Sequence, residues 1–113
     1  MIDKSLAEQN CSPCNQGAVR VSEATAVELL GGLNPSWRLV QTPQALERTY
    51  KVKGFAKATY LANLCSWLAD KQGHHPDVSF GWGYCTVQLT THDVDGLTMN
   101  DFIWAANLDA LTD

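Results

Sequence analysis

Hydrophobic positions recur at helical spacing in one long stretch of the chain, and a shorter stretch is marked as a helix by the residues at its two ends. The longer stretch is Phe55–Gln72, where the apolar residues fall on one broad arc of a helix and Gly73 closes the pattern. The shorter stretch, Glu23–Leu30, follows Ser22, whose hydroxyl suits the position before a helix, and it ends at Gly31. The pattern therefore predicts one long and one short helix, each with a glycine at its end.

A third helix is indicated by its start signal. Thr98 and Asp101 are spaced as a capping box, in which each side chain hydrogen-bonds the backbone amide of the other residue. Ile103, Ala106 and Ala110 follow at the spacing of one apolar helix face. We expect a helix that runs from this cap towards the end of the sequence.

Four other segments fit strands, and the clearest of them alternates hydrophobic and polar positions, as a strand with one buried face does. In that segment Leu46, Arg48 and Tyr50 share one face, while Glu47 and Thr49 share the other. The four predicted strands are Trp37–Gln41, Leu46–Lys53, Val78–Phe80 and Tyr84–Thr91.

These elements follow one another in the order α-β-β-α-β-β-α with short connections. Because a sheet with one apolar face must bury it against another layer, this order favours an α+β fold. We expect a four-stranded antiparallel sheet with three helices on one face. Residues 1–20 are polar and irregular, so we expect them to form a flexible N-terminal arm, and residues 21–113 to form a single domain.

The composition is that of an ordinary globular domain, with 113 residues, 45% hydrophobic and 18% charged. Eight scattered basic residues against twelve acidic ones give a net charge of −4, which argues against a nucleic-acid surface. The sequence has no apolar run of the ~20 residues that cross a bilayer. It also lacks the basic and apolar regions of a secretory signal. We therefore expect a cytoplasmic protein that binds neither nucleic acid nor membrane.

Two of the four cysteines, Cys11 and Cys14, have the spacing of redox or zinc sites. A redox pair of this kind normally opens a helix after a strand, and no strand is predicted before it. A zinc site needs two more ligands, whereas Cys65 and Cys85 lie on predicted apolar faces. The spacing leaves the role of the pair open, and an incidental feature of the arm is the interpretation we favour.

All three histidines of the chain lie within nineteen residues. His74 and His75 follow the long helix, and His92 comes at the end of the second strand of a predicted hairpin. Since the two ends of a hairpin approach each other, the three imidazoles could converge on one site, where they could give and take protons near neutral pH. The alternatives are a merely solvated polar loop, or a three-histidine zinc site that no obvious carboxylate or thiol completes.

The histidines belong to a longer pattern, which is Asp70-x-x-x-His74-His75-Pro76 followed by Trp82, His92 and Asp101. It resembles the signature of the pterin-4a-carbinolamine dehydratase family. That signature has an acidic or polar residue, His-His-Pro, an aromatic residue, a further histidine and a later aspartate.

The likeness extends from about Ser22 to the end of the sequence, and it includes Thr90-Thr91-His92 and Gly96-Leu97-Thr98. Two positions depart from the family. Gly73 stands where an acidic or amide residue is frequent, and Val78 stands where an aromatic residue is frequent. Neither departure removes a group that could transfer a proton.

The resemblance implies a hydro-lyase of tetrahydropterin recycling. Such an enzyme removes water from 4a-hydroxytetrahydrobiopterin, the pterin 4a-carbinolamine, and yields the quinonoid dihydropterin. It implies that His74 and His92 act as the acid and the base, in an order left open, while His75 mainly positions the substrate. Neither a cofactor nor a metal is required for this chemistry.

The resemblance also implies that Asp70, Thr90, Thr91 and Asp101 contribute to substrate binding. Asp70 lies one helical turn before His74, and it could orient that ring or bind the pterin, but it could equally be a solvated carboxylate. Asp101 could reach the site or simply cap the last helix. The threonines could offer backbone groups to the pterin ring. Trp82 is expected in the core.

Several partners follow from the resemblance and the expected sheet. The family works alongside aromatic amino acid hydroxylases, and some members double as a dimerisation cofactor for a homeodomain transcription factor. A non-catalytic interaction protein is therefore the alternative function. A four-stranded sheet in a short chain leaves edge strands that a second copy could cover, which predicts a homodimer or homotetramer. The sequence does not distinguish which pterin is physiological.

Overall fold

The computed structural model describes residues 6–12, 19–41 and 44–113. These residues form an α+β fold in the predicted order α-β-β-α-β-β-α. A short 3-10 turn, His92–Val94, precedes the last helix. The helices are α1 Glu23–Leu30, α2 Phe55–Gln72 and α3 Met99–Thr112, and the strands are β1 Arg38–Val40, β2 Ala45–Lys51, β3 Asp77–Gly81 and β4 Tyr84–Leu89.

The four strands form one antiparallel sheet in the order β1-β2-β4-β3. The two central strands pair from Leu46 opposite Leu89 to Lys51 opposite Tyr84. The predicted alternation is confirmed, because Leu46 and Leu89 are fully buried, whereas Thr49 on the other face is exposed. The helices cover the buried face, and the opposite face carries polar side chains.

The capping residues identified in the sequence predicted these helix ends correctly. The Ser22 hydroxyl accepts a hydrogen bond from the Thr25 amide at 3.1 Å, and both hydrogen bonds of the predicted capping box between Thr98 and Asp101 are present. Gly73 ends α2 in the left-handed conformation, with φ of 66°. A side chain is strained there, so glycine allows the helix to end at Gln72, two residues before His74.

Strand β4 is shorter than predicted, since it ends at Leu89 rather than at Thr91. Thr91 instead forms an isolated antiparallel bridge with Gly96, which closes a tight loop. His92 therefore begins the 3-10 turn of this loop and does not continue the strand.

The core lies between the sheet and the helices, and it includes two cysteine thiols. Burial raises the pKa of Cys65 to about 12 and also raises the pKa of Cys85. Trp82 was expected in the core, and this is wrong, because it is 73% exposed in the turn between β3 and β4. Large core side chains include Leu6, Leu46, Leu68, Leu89, Leu97, Phe102, Trp104 and Leu108.

The described part of the N-terminal segment packs against the domain. Leu6 is 1% exposed and belongs to the main core cluster. For residues 6–12 this differs from the expected loose arm, because one leucine can dock a segment without leaving a periodic pattern in the sequence. Cys14 and the rest of residues 1–5 and 13–18 lie outside the described residues. The division into an arm and a domain of residues 21–113 stays a prediction.

Candidate active site

His74 is held by a buried carboxylate. The imidazole is 6% exposed, and its Nε2 lies 2.7 Å from Oδ1 of Asp101, which is fully buried at the start of α3. The helix end at Gly73 brings His74 to this position, and the cap of α3 brings Asp101. The two residues are 27 positions apart in the sequence.

The second oxygen of Asp101 accepts two further hydrogen bonds. The Thr91 hydroxyl donates to Oδ2 at 2.8 Å, and the Thr98 amide donates to it at 3.0 Å. The hydroxyls of Thr91 and Thr98 lie 2.9 Å apart. Because the Thr91 hydroxyl already donates its proton to Asp101, the Thr98 hydroxyl is the donor between the two threonines. We call His74, Asp101, Thr91 and Thr98 the histidine network.

This hydrogen bonding selects a tautomer of His74. An ionised carboxylate only accepts, and the N-terminus of a helix favours its negative charge. His74 must then present Nε2–H to Asp101, which leaves the lone pair of the neutral ring on Nδ1. A buried carboxylate in this position would also stabilise an imidazolium, as in the serine protease triad.

The three histidines line one cavity of about 220 Å³. His75 is 66% exposed on its side chain, and His92 is exposed at the start of its turn. The lining residues are Gly73, His74, His75, Thr90, Thr91, His92 and Asp93.

Asp70 does not orient His74, which was one expectation from the sequence. Its Oδ1 lies 3.8 Å from Nε2 of His75, and the Asp70 side chain is 89% exposed. The left-handed residue Gly73 redirects the chain after α2, so the spacing of one helical turn no longer applies to His74. Asp70 and His75 instead line an adjacent cavity of about 300 Å³ beside Cys65.

The two predicted threonines support the loop that carries His92. The Thr90 hydroxyl donates to the carbonyl of Gln44 at 2.8 Å. The Thr91 amide donates to the Gly96 carbonyl at 2.9 Å, and the Thr91 carbonyl accepts from the Gly96 amide. The backbone amide and carbonyl of Thr91 are thus hydrogen-bonded within the protein, and the contribution of the two threonines to pterin binding stays a prediction. Asp101 contacts His74 and is not among the residues that line the histidine cavity.

Sequence reasoning missed two contributors to this site. Asp93 lines the histidine cavity, and Thr98 belongs to the histidine network as well as capping α3. Adjacency to His92 was the available signal for Asp93, whereas nothing in the sequence linked Thr98 to Thr91. Within residues 6–12, 19–41 and 44–113, no group of three or more His, Cys, Asp or Glu side chains could hold a metal ion. In the same ranges, no helix has the length and apolar character to traverse a bilayer.

The chain resembles known proteins over most of its length. The family model described as pterin 4 alpha carbinolamine dehydratase matches residues 19–111. A Methylococcus capsulatus protein named "Putative pterin-4-alpha-carbinolamine dehydratase" is 39% identical over 107 residues, which cover 95% of this chain and 93% of that protein. A Paracoccus denitrificans protein of the same name is 43% identical over 96 residues, covering 85% and 89%.

Two solved structures share the fold. The crystal structure of a transcriptional coactivator/pterin dehydratase from Brucella melitensis has a TM-score of 0.77 and 28% identity, and the match covers 84% of this chain and 100% of that one. A pterin dehydratase-like protein identified as a RuBisCO assembly factor in the alpha-carboxysome has a TM-score of 0.57 and 25% identity, covering 67% and 88%. From the extent of the family match and the identity of these relatives, the chain belongs to the pterin 4 alpha carbinolamine dehydratase family.

Proposed function

We propose that this protein dehydrates 4a-hydroxytetrahydrobiopterin, or a closely related pterin 4a-carbinolamine, to the quinonoid dihydropterin. The observation that carries this proposal is the histidine cavity, in which a buried carboxylate fixes one of three convergent imidazoles. Membership of the family supports the same substrate class. The reaction belongs to tetrahydropterin recycling in the cytoplasm, downstream of a hydroxylase that forms the carbinolamine.

The reaction needs one proton delivered and one removed. The substrate carries a hydroxyl on C4a and a hydrogen on N5. Protonation of the hydroxyl lets it leave as water, and loss of the N5 proton forms the C4a=N5 double bond of the product. Positioned acid and base groups each contribute about 10²–10⁴-fold to such a step.

The histidine network supports one division of the two roles. His74 is the base, because its hydrogen bond to Asp101 leaves the lone pair on Nδ1 and stabilises the charged ring afterwards. His92 is the acid, and its exposure at the cavity lets solvent restore its proton after each turnover. His75 is exposed and binds the pterin rather than transferring a proton.

The test compares the rate of carbinolamine dehydration with and without the protein. His74→Gln and His92→Gln should each slow the reaction by about 10²–10⁴-fold, and the double variant should not exceed the spontaneous rate. Glutamine suits position 74 better than alanine, since alanine would leave the buried Asp101 without that donor and destabilise the fold. A double variant that dehydrates pterin at the parent rate would contradict the mechanism.

His75→Ala separates binding from chemistry. The side chain is largely exposed, so we expect the fold to remain intact, KM to rise by about tenfold and kcat to change little. A loss confined to kcat would instead place His75 among the acid–base groups.

A second candidate function is a non-catalytic role with a partner protein. It is favoured by the descriptions of the two structural neighbours and by large exposed side chains near the N-terminus of α2, among them Phe55, Phe80 and Trp82. A protein with only this role would not accelerate the dehydration.

Self-association is part of the proposed function. Strands β1 and β3 are the edges of the described sheet, and an unpaired edge favours pairing with a second copy. We expect a homodimer or homotetramer, and a monomer in sedimentation at micromolar concentration would contradict this.

A further inference from the structure

Residues Asn10–Ser12, which we call the strap, cross from the end of α2 to the start of α3. At α3 the side chain of Asn100 pairs with the backbone of Ser12 at two points. The Ser12 amide donates to Asn100 Oδ1 at 2.9 Å, and Asn100 Nδ2 donates to the Ser12 carbonyl at 2.7 Å. Asn100 is 7% exposed, so its side-chain amide is largely buried, whereas Ser12 itself is exposed.

At α2 the strap is held by a second side-chain amide. The Cys11 amide donates to Gln72 Oε1 at 2.7 Å, and Gln72 Nε2 donates to Asn10 Oδ1 at 3.1 Å. Gln72 is also 7% exposed. Leu6, only a few residues before the strap, is buried in the core and anchors this part of the chain.

The strap therefore joins the two elements that carry the His74–Asp101 pair. Gln72 is the last residue of α2 and lies two positions before His74, and Asn100 directly precedes Asp101. The 2.7 Å contact of the pair and the hydrogen bonds of the strap, which include one from Cys11 Sγ to the Asn100 carbonyl at 3.4 Å, cross the same junction. Because the strap holds the end of α2 against the start of α3, it also fixes the distance between His74 and Asp101. Separation of the two helix ends would leave the buried side-chain amides of Gln72 and Asn100 without these partners, which is costly.

We infer that the strap sets the geometry of the histidine network, with Gln72 and Asn100 as positioning residues. The catalytic part of this inference rests on the proposed function, whereas the geometric part does not. Without the strap, α2 and α3 can separate at their facing ends, and the Nε2–H of His74 loses its fixed acceptor. A displacement of about 1 Å in such a pair costs up to about 10²-fold in rate.

The experiment compares Asn100→Ala and Gln72→Ala with a matched control, Asn107→Ala. Asn107 is the same residue type on the same helix, and it bonds the carbonyl of Gln9 at 3.2 Å, just before the strap. It lies six residues beyond Asp101, so its loss should leave the histidine network in place.

Two measurements are made on each variant. Nitrogen-15 NMR of the substrate-free protein follows the Nε2–H resonance of His74, which we expect to be slowly exchanging in the parent and the control. In Asn100→Ala and Gln72→Ala it should broaden or exchange rapidly, while the other amide resonances report an intact fold. Steady-state kinetics should show kcat lowered by about tenfold to 10²-fold with KM little changed.

A His74 resonance that stays sharp in both strap variants would overturn the inference, as would an equal loss in Asn107→Ala. If Asn100→Ala does not fold, Gln72→Ala decides by the same resonance, because it leaves the pairing at Ser12 in place. A parent that does not dehydrate pterin would defeat the proposed function, yet the NMR comparison would still decide whether the strap holds the pair.

Discussion

The two ends of α3 each hold a carboxylate in a hydrogen-bond network, and the two networks differ in their partners. At the N-terminal end Asp101 faces His74. At the C-terminal end Asp109 accepts from Arg48 Nη1 at 2.5 Å and from Trp37 Nε1 at 2.8 Å. Arginine keeps its charge at any ordinary pH, whereas histidine gains and loses a proton near neutrality. Only the first network can therefore take part in acid–base chemistry.

The second network, which we call the arginine network, neutralises negative charge at the end of the helix. Asp109 and Asp113 lie at the C-terminal end of a helix, where negative charge is unfavourable, and Arg48 from β2 pairs with both. Burial raises the pKa of Asp109, while the hydrogen bond from Arg48 lowers the pKa of Asp113. Arg48 also lies 4.1 Å from the ring centre of Tyr50. This arrangement ties the helix end to the sheet.

The largest expected effect separates the two carboxylates by kinetics. In Asp101→Asn the amide oxygen can still accept from Thr91 and Thr98, but its NH₂ group faces His74 and forces the proton onto Nδ1. We expect kcat to fall by about 10²–10⁴-fold with the fold retained. Asp109→Asn is the matched control and should leave kcat unchanged. Equal losses of kcat in the two variants would contradict the conclusion that only the histidine network takes part in acid–base chemistry.

Arg48→Met tests the arginine network by stability. Removal of one partner from a buried ion pair typically costs about 3–5 kcal/mol, and here it leaves two carboxylates at a helix C-terminus. Urea unfolding at neutral pH should report that loss, while kcat of the folded fraction stays near the parent value. Arg48→Lys should be intermediate, since lysine keeps the charge without the planar fork. An unchanged free energy of unfolding together with a lowered kcat would reverse the assignment.

A smaller effect is expected when each carboxylate loses a neutral donor. Thr91→Val removes the hydroxyl that donates to Asp101, and Trp37→Phe removes the indole N–H that donates to Asp109. Each change should destabilise the fold by about 1 kcal/mol. Only Thr91→Val should also lower kcat, by about tenfold, because Asp101 then holds His74 less firmly. Circular dichroism melts and steady-state rates on both variants measure the difference.

The smallest effect concerns pH. The pKa of Asp113 is lowered in the folded protein, so its contribution to stability is present above the unfolded value of about 3.9 and is lost as pH falls through the folded value. Asp113→Asn should thus cost under about 1 kcal/mol at pH 7, since the side chain is 36% exposed, and nothing in strong acid. The difference in unfolding free energy between parent and variant, measured from pH 7 downwards, should shrink. A constant difference would contradict the role of its charge.

Local chemistry explains which features the sequence predicted. Ser22 and the capping box of Thr98 and Asp101 act within one helical turn, so their residue types alone indicate the helix starts. Alternation placed Arg48 on the inward face of β2, but its partner Asp109 is 61 residues away, and no spacing rule connects them.

The candidate site was predictable only in outline. The histidines could be grouped by hairpin geometry and by the family pattern, yet the pairing of Asp101 with His74 depends on how α3 packs against the end of α2. Asp70 was linked to the wrong histidine because helical spacing was extended past Gly73. Trp82 was misplaced because a turn residue has no fixed face, so its burial is decided by the surrounding surfaces.

The buried thiol of Cys65 can report how often the protein opens locally under native conditions. Burial raises the pKa of the Cys65 thiol to about 12, which disfavours the reactive thiolate at neutral pH. We expect an alkylating reagent to modify Cys65 mainly when α2 moves away from the sheet and exposes the thiol, which is 1% exposed in the closed fold. The slow labelling rate at this residue, read by mass spectrometry, reports how often that happens under native conditions.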